Sequence, residues 1–553
     1  MNRLKAFSIP ALLLNERCQL VFILLLAFFL RVNGLSFGFR YLLHPDEIQY
    51  VRAGTAFLIG QEKAIDQLET LNNPPLFKSA LGLLYITYTY ALIPDHAQIP
   101  EAPTTRLWSV FYYYVGRLAS ASSGLLTVAL LYVIGKRLYD RKIGVVAAFL
   151  LSVSFLHVRE SHFAVNDAPL TFLTTLGLLG GATILHRGRW RDYAATGLVI
   201  GLAVATKYTG AQMAGVLLLA HWLRQRQVKA RRLGYFLSPR LWLGLVMVPV
   251  GLVMGAPIVV TSWQATIKGV TQLAEFGQAG YKDLLLDPQG GWIFYLKTLT
   301  WGAGWLMAAA FLVVLVLALI KRFPEDLILL VYPVLLYAFM GYQQMFFARF
   351  ILPVLPPLIL LVAAWLGRLS QLSRRLHPAV NSRAVLLAVT GLIALQPLAM
   401  SVWFGIVLNR PDTRATAIEW IKANLPEGST MYADQYAIPR KTFNGFVSLP
   451  NVQLKTTPVS NLSPLKYYPD QGIQFLVTSD YFTDVPYAEA AKESVRQKAL
   501  KAVSQLKLIR EFQPYWLPGP WFSYDQRYGP AAETLLRQYP GPVIRVYDLR
   551  ATR

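Results

Sequence analysis

Apolar runs, each close to the ~20 residues needed to cross a hydrocarbon core, recur along the chain as far as residue 406. They fall at roughly 17–34, 117–135, 143–158, 168–185, 192–206, 210–224, 241–260, 293–320, 327–342, 351–367 and 384–407, with short polar stretches between them. Past about residue 408 the pattern changes to mixed polar and apolar positions, punctuated by turn signals such as Leu425-Pro426-Glu427-Gly428. Short β-like runs stand at Ser429–Tyr432, Gln474–Ser479 and Pro542–Asp548. A helix is expected from an Asp412 cap through Lys422, with Ala417, Ile418 and Ile421 as its apolar stripe, and a second, amphipathic one near 486–505. A tail of about 145 residues can bury a core of its own. The expected fold is therefore a polytopic α-helical membrane protein of about 11–13 transmembrane helices, with a C-terminal soluble α/β domain. The pattern shows no internal repeat and no low-complexity linker.

Composition agrees with a membrane location. Hydrophobic residues make up 54% of the 553 and charged residues only 15%, where a soluble protein carries about 25%. The net charge of +23 invites a nucleic-acid reading, but the basic residues sit in short loops between apolar runs. Lys136, Arg137, Arg141 and Lys142 mark one such loop; Arg187, Arg189 and Arg191 the next; Arg224, Arg226, Lys229, Arg231, Arg232 and Arg240 a third. Lys321-Arg322 and Arg368, Arg374, Arg375 and Arg383 follow, and Arg3, Lys5 and Arg17 precede the first run. That is the positive-inside pattern, so nucleic acid is not an expected partner and membrane lipid is. It places the N-terminus in the cytoplasm and the C-terminal domain outside it. The single cysteine, Cys18, excludes intramolecular disulfides and thiolate metal clusters. Residues 18–33 read as a retained anchor. Lack of disulfides and short loops point to a bacterial inner membrane.

The expected division is a membrane domain over 1–407 and an extracytoplasmic α/β domain over 408–553. The outer face receives the first loop from residue 35 with interfacial helices to 105, the loop 261–292, and the C-terminal domain. Residues 76–94 are long enough to cross, but a crossing would put the Lys136 loop on the wrong side. They are read as a helix lying in the outer interface, where Tyr85, Tyr88 and Tyr90 suit headgroup depth; a hairpin absorbing part of 106–117 is the alternative.

Two acidic motifs then fall on one face: His44-Pro45-Asp46-Glu47-Ile48, and Ser161-His162-Phe163-Ala164-Val165-Asn166-Asp167. A carboxylate there can take the proton of an acceptor hydroxyl as it attacks carbon. If the donor is a sugar on a lipid phosphate, the anionic leaving group needs cations. Lys207, in Ala205-Thr206-Lys207-Tyr208-Thr209-Gly210, and Arg349, in Phe346-Phe347-Ala348-Arg349-Phe350, supply them. Either alone reads better as a snorkelling anchor, but burying such a charge costs about 2.5–3.5 kcal/mol on insertion scales. Two of them beside two carboxylate loops make a charged site the better reading. His44 and His162 flank the acidic motifs, so a divalent metal stays open, although no ligand spacing of the His-x-x-x-His kind supports it.

In order along the chain come Asp46-Glu47, Asn73-Pro74-Pro75-Leu76, Gly116-Arg117-Leu118, Gly124-Leu125-Leu126-Thr127-Val128, Ser161-His162-Phe163-Ala164, Asn166-Asp167-Ala168, Ala205–Gly210, and Ala348-Arg349-Phe350 with Pro353 and Pro356. This order resembles glycosyltransferase family 39, which holds the protein O-mannosyltransferases and the related bacterial aminoarabinose transferases, within the glycosyltransferase-C superfamily. The resemblance covers about residues 15–425. It implies an inverting enzyme that moves one sugar from a polyprenyl-phosphate donor to an acceptor hydroxyl at the outer face, with no certain cofactor. Asp46 then matches the catalytic base, Glu47 the carboxylate that helps organise the site, and Asp167 the second acidic position. Lys207 and Arg349 would hold the donor phosphate, and His44, Tyr50, Asn73, His162, Asn166 and Tyr208 are further substrate-site candidates. The acceptor is open among lipid, glycan and protein. Asn72 and Asn73 stand where aminoarabinose transferases carry an acidic and a basic residue, which argues against that subfamily. The 261–292 loop is too short for the extra sugar-binding domain of the eukaryotic mannosyltransferases. The rival reading is a transporter or flippase of lipid-linked saccharides, which would more often show pseudo-symmetric halves; a non-catalytic scaffold is the third. The C-terminal domain offers no recognisable chemical motif.

Overall fold

The computed structural model describes residues 16–39, 41–58, 73–92, 110–228, 235–281, 284, 286–376, 378, 381–439, 441–442, 445–447, 449–455, 467–517 and 523–550. Arg3, Lys5, Asn72, Lys229, Arg231, Arg232 and the stretch 93–105 of the expected interfacial extension lie outside these residues.

A bundle of apolar helices fills the first three-quarters of the chain. Among the described residues, Val110–Leu138, Asp167–His186, Pro324–Tyr342, Ala348–Arg375 and the apolar part of Ser382–Asn424 are long and apolar enough to cross a membrane. Shorter apolar helices include Pro239–Gly255 and Trp305–Lys321. Large apolar side chains on the outside of the bundle, such as Phe22, Leu25, Val316 and Ile320, are exposed as a lipid-facing surface requires.

Two expected spans turn out to be broken helices. The run 293–320 divides into Gly290–Gly302 and Trp305–Lys321. Between them Gly304 adopts φ 103°, a conformation that side chains resist, and a Cβ there would press on Pro397. The Trp305 N–H freed by the break donates to the Gln396 side chain at 2.9 Å. The run 143–158 stops at Val153 and restarts as Phe155–Glu160. Its loose carbonyls are taken up by fully buried Arg31, which donates to Leu151 and Ser152, and by the Ser401 hydroxyl, which donates to Val153. Backbone can leave the helix at membrane depth only where protein groups replace the lost partners, and here they do.

The expected basic loops gather at one end. Arg137 donates to Thr183, Arg224 to the His186 carbonyl and Arg240 to that of Gly188. At the same end Asp326, fully buried, accepts from Arg368 through two bonds, from Trp365 and from Tyr139. The acidic motifs and the C-terminal domain occupy the other end. The Leu76–Leu92 helix begins there too: Leu76 lies beside Gly255, and Tyr85 donates to the Tyr112 carbonyl. The loop 261–292 is not irregular; it contains a helix, Trp263–Ala279.

The C-terminal part builds a five-stranded sheet. Its strands are β1 (Ser429–Ala433), β4 (Val452–Lys455), β5 (Phe475–Ser479), β6 (Lys507–Phe512) and β7 (Ile544–Asp548), with β2 (Lys441–Thr442) and β3 (Gly445–Phe446) as a separate pair. The order is β4-β1-β5-β7-β6; β1 runs parallel to β4 and β5, while β7 is antiparallel to β5 and β6. The Asp412-capped helix Thr413–Asn424 and the helix Ala490–Val503 appear where the pattern placed them. One apolar cluster joins Phe37, Leu43, Phe163 and Phe404 of the bundle to Ile418, Ile421, Met431 and Val477 of this domain. The two parts therefore share a core.

Removing the Asp326 carboxylate leaves the Arg368 guanidinium without its partner. Asp326→Ala should cost about 3 kcal/mol, seen as a lower melting temperature of the detergent-purified protein. An unshifted melting curve would show that the cluster contributes nothing to stability.

Candidate active site

Helix termini bring the site together. Asp167 opens the helix Asp167–His186, where the positive end of the helix dipole favours a carboxylate. Lys207 caps the C-terminus of Trp190–Thr206, where the dipole favours a cation. From Lys207 the chain turns into the 3₁₀ helix Tyr208–Met213, and Gly210 presses so closely on the Ala203 backbone that a Cβ would lie 2.5 Å from its carbonyl carbon. Arg349 lies in the first turn of another 3₁₀ helix, Ala348–Val354, before the helix Leu355–Leu376. Pro353, Pro356 and Pro357 fall in this 3₁₀ segment and in the first turn after it, where few backbone donors are missed. Asp46 sits immediately before the helix Glu47–Leu58.

These four side chains meet. Arg349 donates to Asp46 at 2.6 Å and stands 3.7 Å from the second oxygen of Asp167. Lys207 holds the first oxygen of Asp167 at 2.7 Å and lies 4.3 Å from the centre of the Phe350 ring. Asp46 is the accessible member, its side chain 27% exposed against 4% for Asp167 and 9% for Arg349. A reactant can therefore reach Asp46 while the rest of the cluster stays dry.

Glu47 behaves differently from its neighbour. Arg117 clamps it through two bonds of 2.7 Å each, and the Ala164 N–H donates to it at 2.8 Å. Arg117 also donates to the carbonyls of Leu35 and Phe37. Glu47 is buried with both oxygens engaged, so it is a strut joining the two acidic loops rather than a group free to take a proton. Its placement among the catalytic candidates is corrected accordingly; its organising part fits the geometry.

The remaining candidates divide. Tyr50 is buried close enough to the cluster that, after burial itself, Asp167 and Asp46 push its phenol pKa up. The Asn166 side chain donates to the Thr206 carbonyl, fixing the second acidic loop to the Lys207 turn. Asn73 and Tyr208 are half-buried at the same end. His44 stacks on Phe163 at 4.4 Å and its Nδ1 accepts the Glu47 N–H. His162 lies with its ring nitrogens 2.8 Å and 3.1 Å from the Val158 and Asn33 carbonyls. Burial keeps both rings neutral: it lowers His44 first, with Arg349, Arg117 and Arg159 adding to it, and lowers His162 to about 4.

Residues 104–254 match the family model described as dolichyl-phosphate-mannose-protein mannosyltransferase. In three dimensions the chain is similar to ArnT from Cupriavidus metallidurans in the apo state, with 16% identity, a TM-score of 0.50, and 95% of this chain and 97% of that one covered. It is also similar to the oligosaccharyltransferase AglB from Archaeoglobus fulgidus in complex with an inhibitory peptide and a dolichol-phosphate. There the identity is 12%, the TM-score 0.50 and the coverage 96% of this chain and 88% of that one. No curated protein sequence matches the chain. The chain shares its overall fold with these two structures. The family-39 resemblance read from the ordered motifs is supported by the segment match, which contains Arg117, Asp167 and Lys207, with Asp46 and Arg349 on either side of it.

A divalent cation does not fit this site. Arg349 stands between Asp46 and Asp167, and Lys207 pairs with the other oxygen of Asp167, so both carboxylates already face a side-chain cation. Both ring nitrogens of His162 and the Nδ1 of His44 face backbone groups, and among the described residues no three His, Cys, Asp or Glu side chains converge as ligands.

The sequence pattern gave no sign of the C-terminal domain's part. Its 3₁₀ segment Tyr524–Tyr528 docks against the cluster. Fully buried Arg159 donates to the carbonyls of Asp525, Gly529 and Pro530, and pairs with Glu160. The Ala348 N–H donates to Asp525 at 3.0 Å. No motif marks this segment, because its role comes from docking and not from local spacing.

Glu47 and Arg117 are both nearly inaccessible, so breaking one leaves the other buried and unpaired. Glu47→Gln should destabilise by about 3–5 kcal/mol, and in a double-mutant cycle with Arg117→Ala the two losses should not add. Additive losses in melting measurements would mean the pair is not coupled.

Proposed function

We propose that this protein is an inverting glycosyltransferase that moves a single sugar from a polyprenyl-phosphate donor to an acceptor hydroxyl. The observation that carries the reading is the Arg349 guanidinium held between Asp46 and Asp167, with Lys207 on the far side of Asp167. Two cations and two carboxylates, with Asp46 the accessible member, can serve both halves of such a displacement. The acceptor oxygen bonds to the anomeric carbon as the carbon–oxygen bond to phosphate breaks on the opposite face. The hydroxyl proton goes to the Asp46 carboxylate. The polyprenyl phosphate leaves as an anion stabilised by Arg349 and Lys207. Asp167 keeps those two cations in place between turnovers. The dolichol-phosphate bound by AglB, which shares the fold, supports a lipid phosphate as the ligand of this end.

In this reading residues 1–407, with the loop and interfacial helices of 35–105, form the catalytic membrane domain, and 408–553 lie outside the cytoplasm. Clustering of the basic loops at the end opposite the site supports that orientation under the positive-inside rule, in a bacterial inner membrane.

Membranes of an overexpressing strain, supplied with labelled sugar on polyprenyl phosphate, provide the test. Asp46→Asn should abolish transfer while the protein still folds and inserts into the membrane; turnover at the wild-type level would remove Asp46 from the mechanism. Lys207→Ala and Arg349→Ala should each weaken donor binding by about 1.5–3 kcal/mol, the loss of a charge-assisted hydrogen bond. Unchanged donor affinity in both would reassign them to structural anchoring.

A further inference from the structure

Arg349 reaches both Asp46 and Asp167, and the C-terminal domain grips it twice. Asp525 accepts the N–H of Ala348 and so holds the backbone next to it. Tyr528, one 3₁₀ turn further along the same docked segment, lays its ring over the guanidinium with 4.3 Å between the guanidinium carbon and the ring centre. Phe347 lies at 4.7 Å from the same guanidinium carbon. The Tyr528 ring also meets His44 at 5.6 Å and Phe347 at 5.3 Å, both edge-on, and is itself buried. Burial raises its phenol pKa, so it stays a neutral ring against the cation.

An arginine side chain has several free torsions, and aiming its planar edge at an anion restricts all of them. The aromatic rings cover the guanidinium face, and the Tyr528 hydroxyl also takes a hydrogen bond from Arg349, leaving further N–H donors in the guanidinium plane. Those donors remain directed at Asp46 and Asp167. The ring is therefore placed to orient Arg349, and it comes from a domain whose described residues form no ion pair with the four charged residues.

We propose that Tyr528 is a positioning residue for Arg349, so that the anion-binding arm of the site is complete only with the C-terminal domain docked. The class of ligand this arm takes, a lipid-linked phosphate, rests on the function proposed above; the clamp itself does not. The domain thereby becomes part of the active site rather than an appended acceptor module. The bland alternative is that Tyr528 merely fills the junction between the domains.

Two measurements on the full-length, detergent-purified chain separate these. The first is the affinity for undecaprenyl phosphate. Tyr528→Leu should weaken it roughly 5–30-fold, the range of a desolvated cation–π contact, whereas Tyr528→Phe, which keeps the ring face, should stay within about threefold. In an Arg349→Ala background Tyr528→Leu should have no further effect. Equal binding by Tyr528→Leu and wild type, or the same loss with and without Arg349, overturns the proposal. The second is the rate at which phenylglyoxal modifies Arg349, followed by mass spectrometry with buried Arg117 as the folding control. Tyr528→Leu should raise the rate at Arg349 severalfold and leave Arg117 unchanged; no change at Arg349, or an equal rise at Arg117, also overturns it. If the wild type fails to bind undecaprenyl phosphate, the proposed function falls, and the Arg349 modification rates still decide the clamp.

Discussion

A guanidinium nine-tenths withdrawn from water must have its charge met, and the site-bearing end of this molecule is organised around that requirement at Arg349. Desolvating an ion costs several kcal/mol, which only close and well-directed partners offset. Asp46 and Asp167 are those partners, and Lys207 balances the second of them. The set is neutral as a whole while each member is expensive to leave alone. That combination makes it both rigid and receptive: an incoming anion can take the place of a carboxylate at Arg349 and keep the guanidinium paired. Asp46, being the exposed member, is the carboxylate such an exchange would release.

Holding these charges in register takes interruptions in the helices. Asp46 precedes a helix, Asp167 begins one, Lys207 ends one, and Arg349 opens a 3₁₀ turn. In the middle of a membrane helix each would face hydrocarbon or a neighbouring helix; at a terminus each meets its partner and a favourable dipole. The breaks at Ser154 and Gly304 follow the same rule, since Arg31, Ser401 and Gln396 replace the backbone partners that the breaks forfeit. The Glu47–Arg117 strut then joins the first loop to the second acidic loop, so the carboxylates keep their spacing. Docking of the C-terminal domain through Arg159, and through a core shared across the junction, closes the assembly.

Much of this was legible in the order of residues. Apolar runs separated by basic loops specified a helical bundle with two unlike ends, because lipid tolerates only such runs and loop charge sets which ends lie together. The Asp412 cap and the β-like runs located the C-terminal elements. Asp46, Asp167, Lys207 and Arg349 stood out because a charge beside an apolar run is costly, and cost directs attention to purpose. Tertiary structure alone decided the rest. Adjacent Asp46 and Glu47 look alike in sequence, yet Arg117, seventy positions away, fixes one as a strut and leaves the other open. Tyr528 carries no local signal at all, since a tyrosine over an arginine exists only once two distant segments have packed. Sequence determines what each position can afford to be near; which partner it meets depends on long-range contacts that no local pattern encodes.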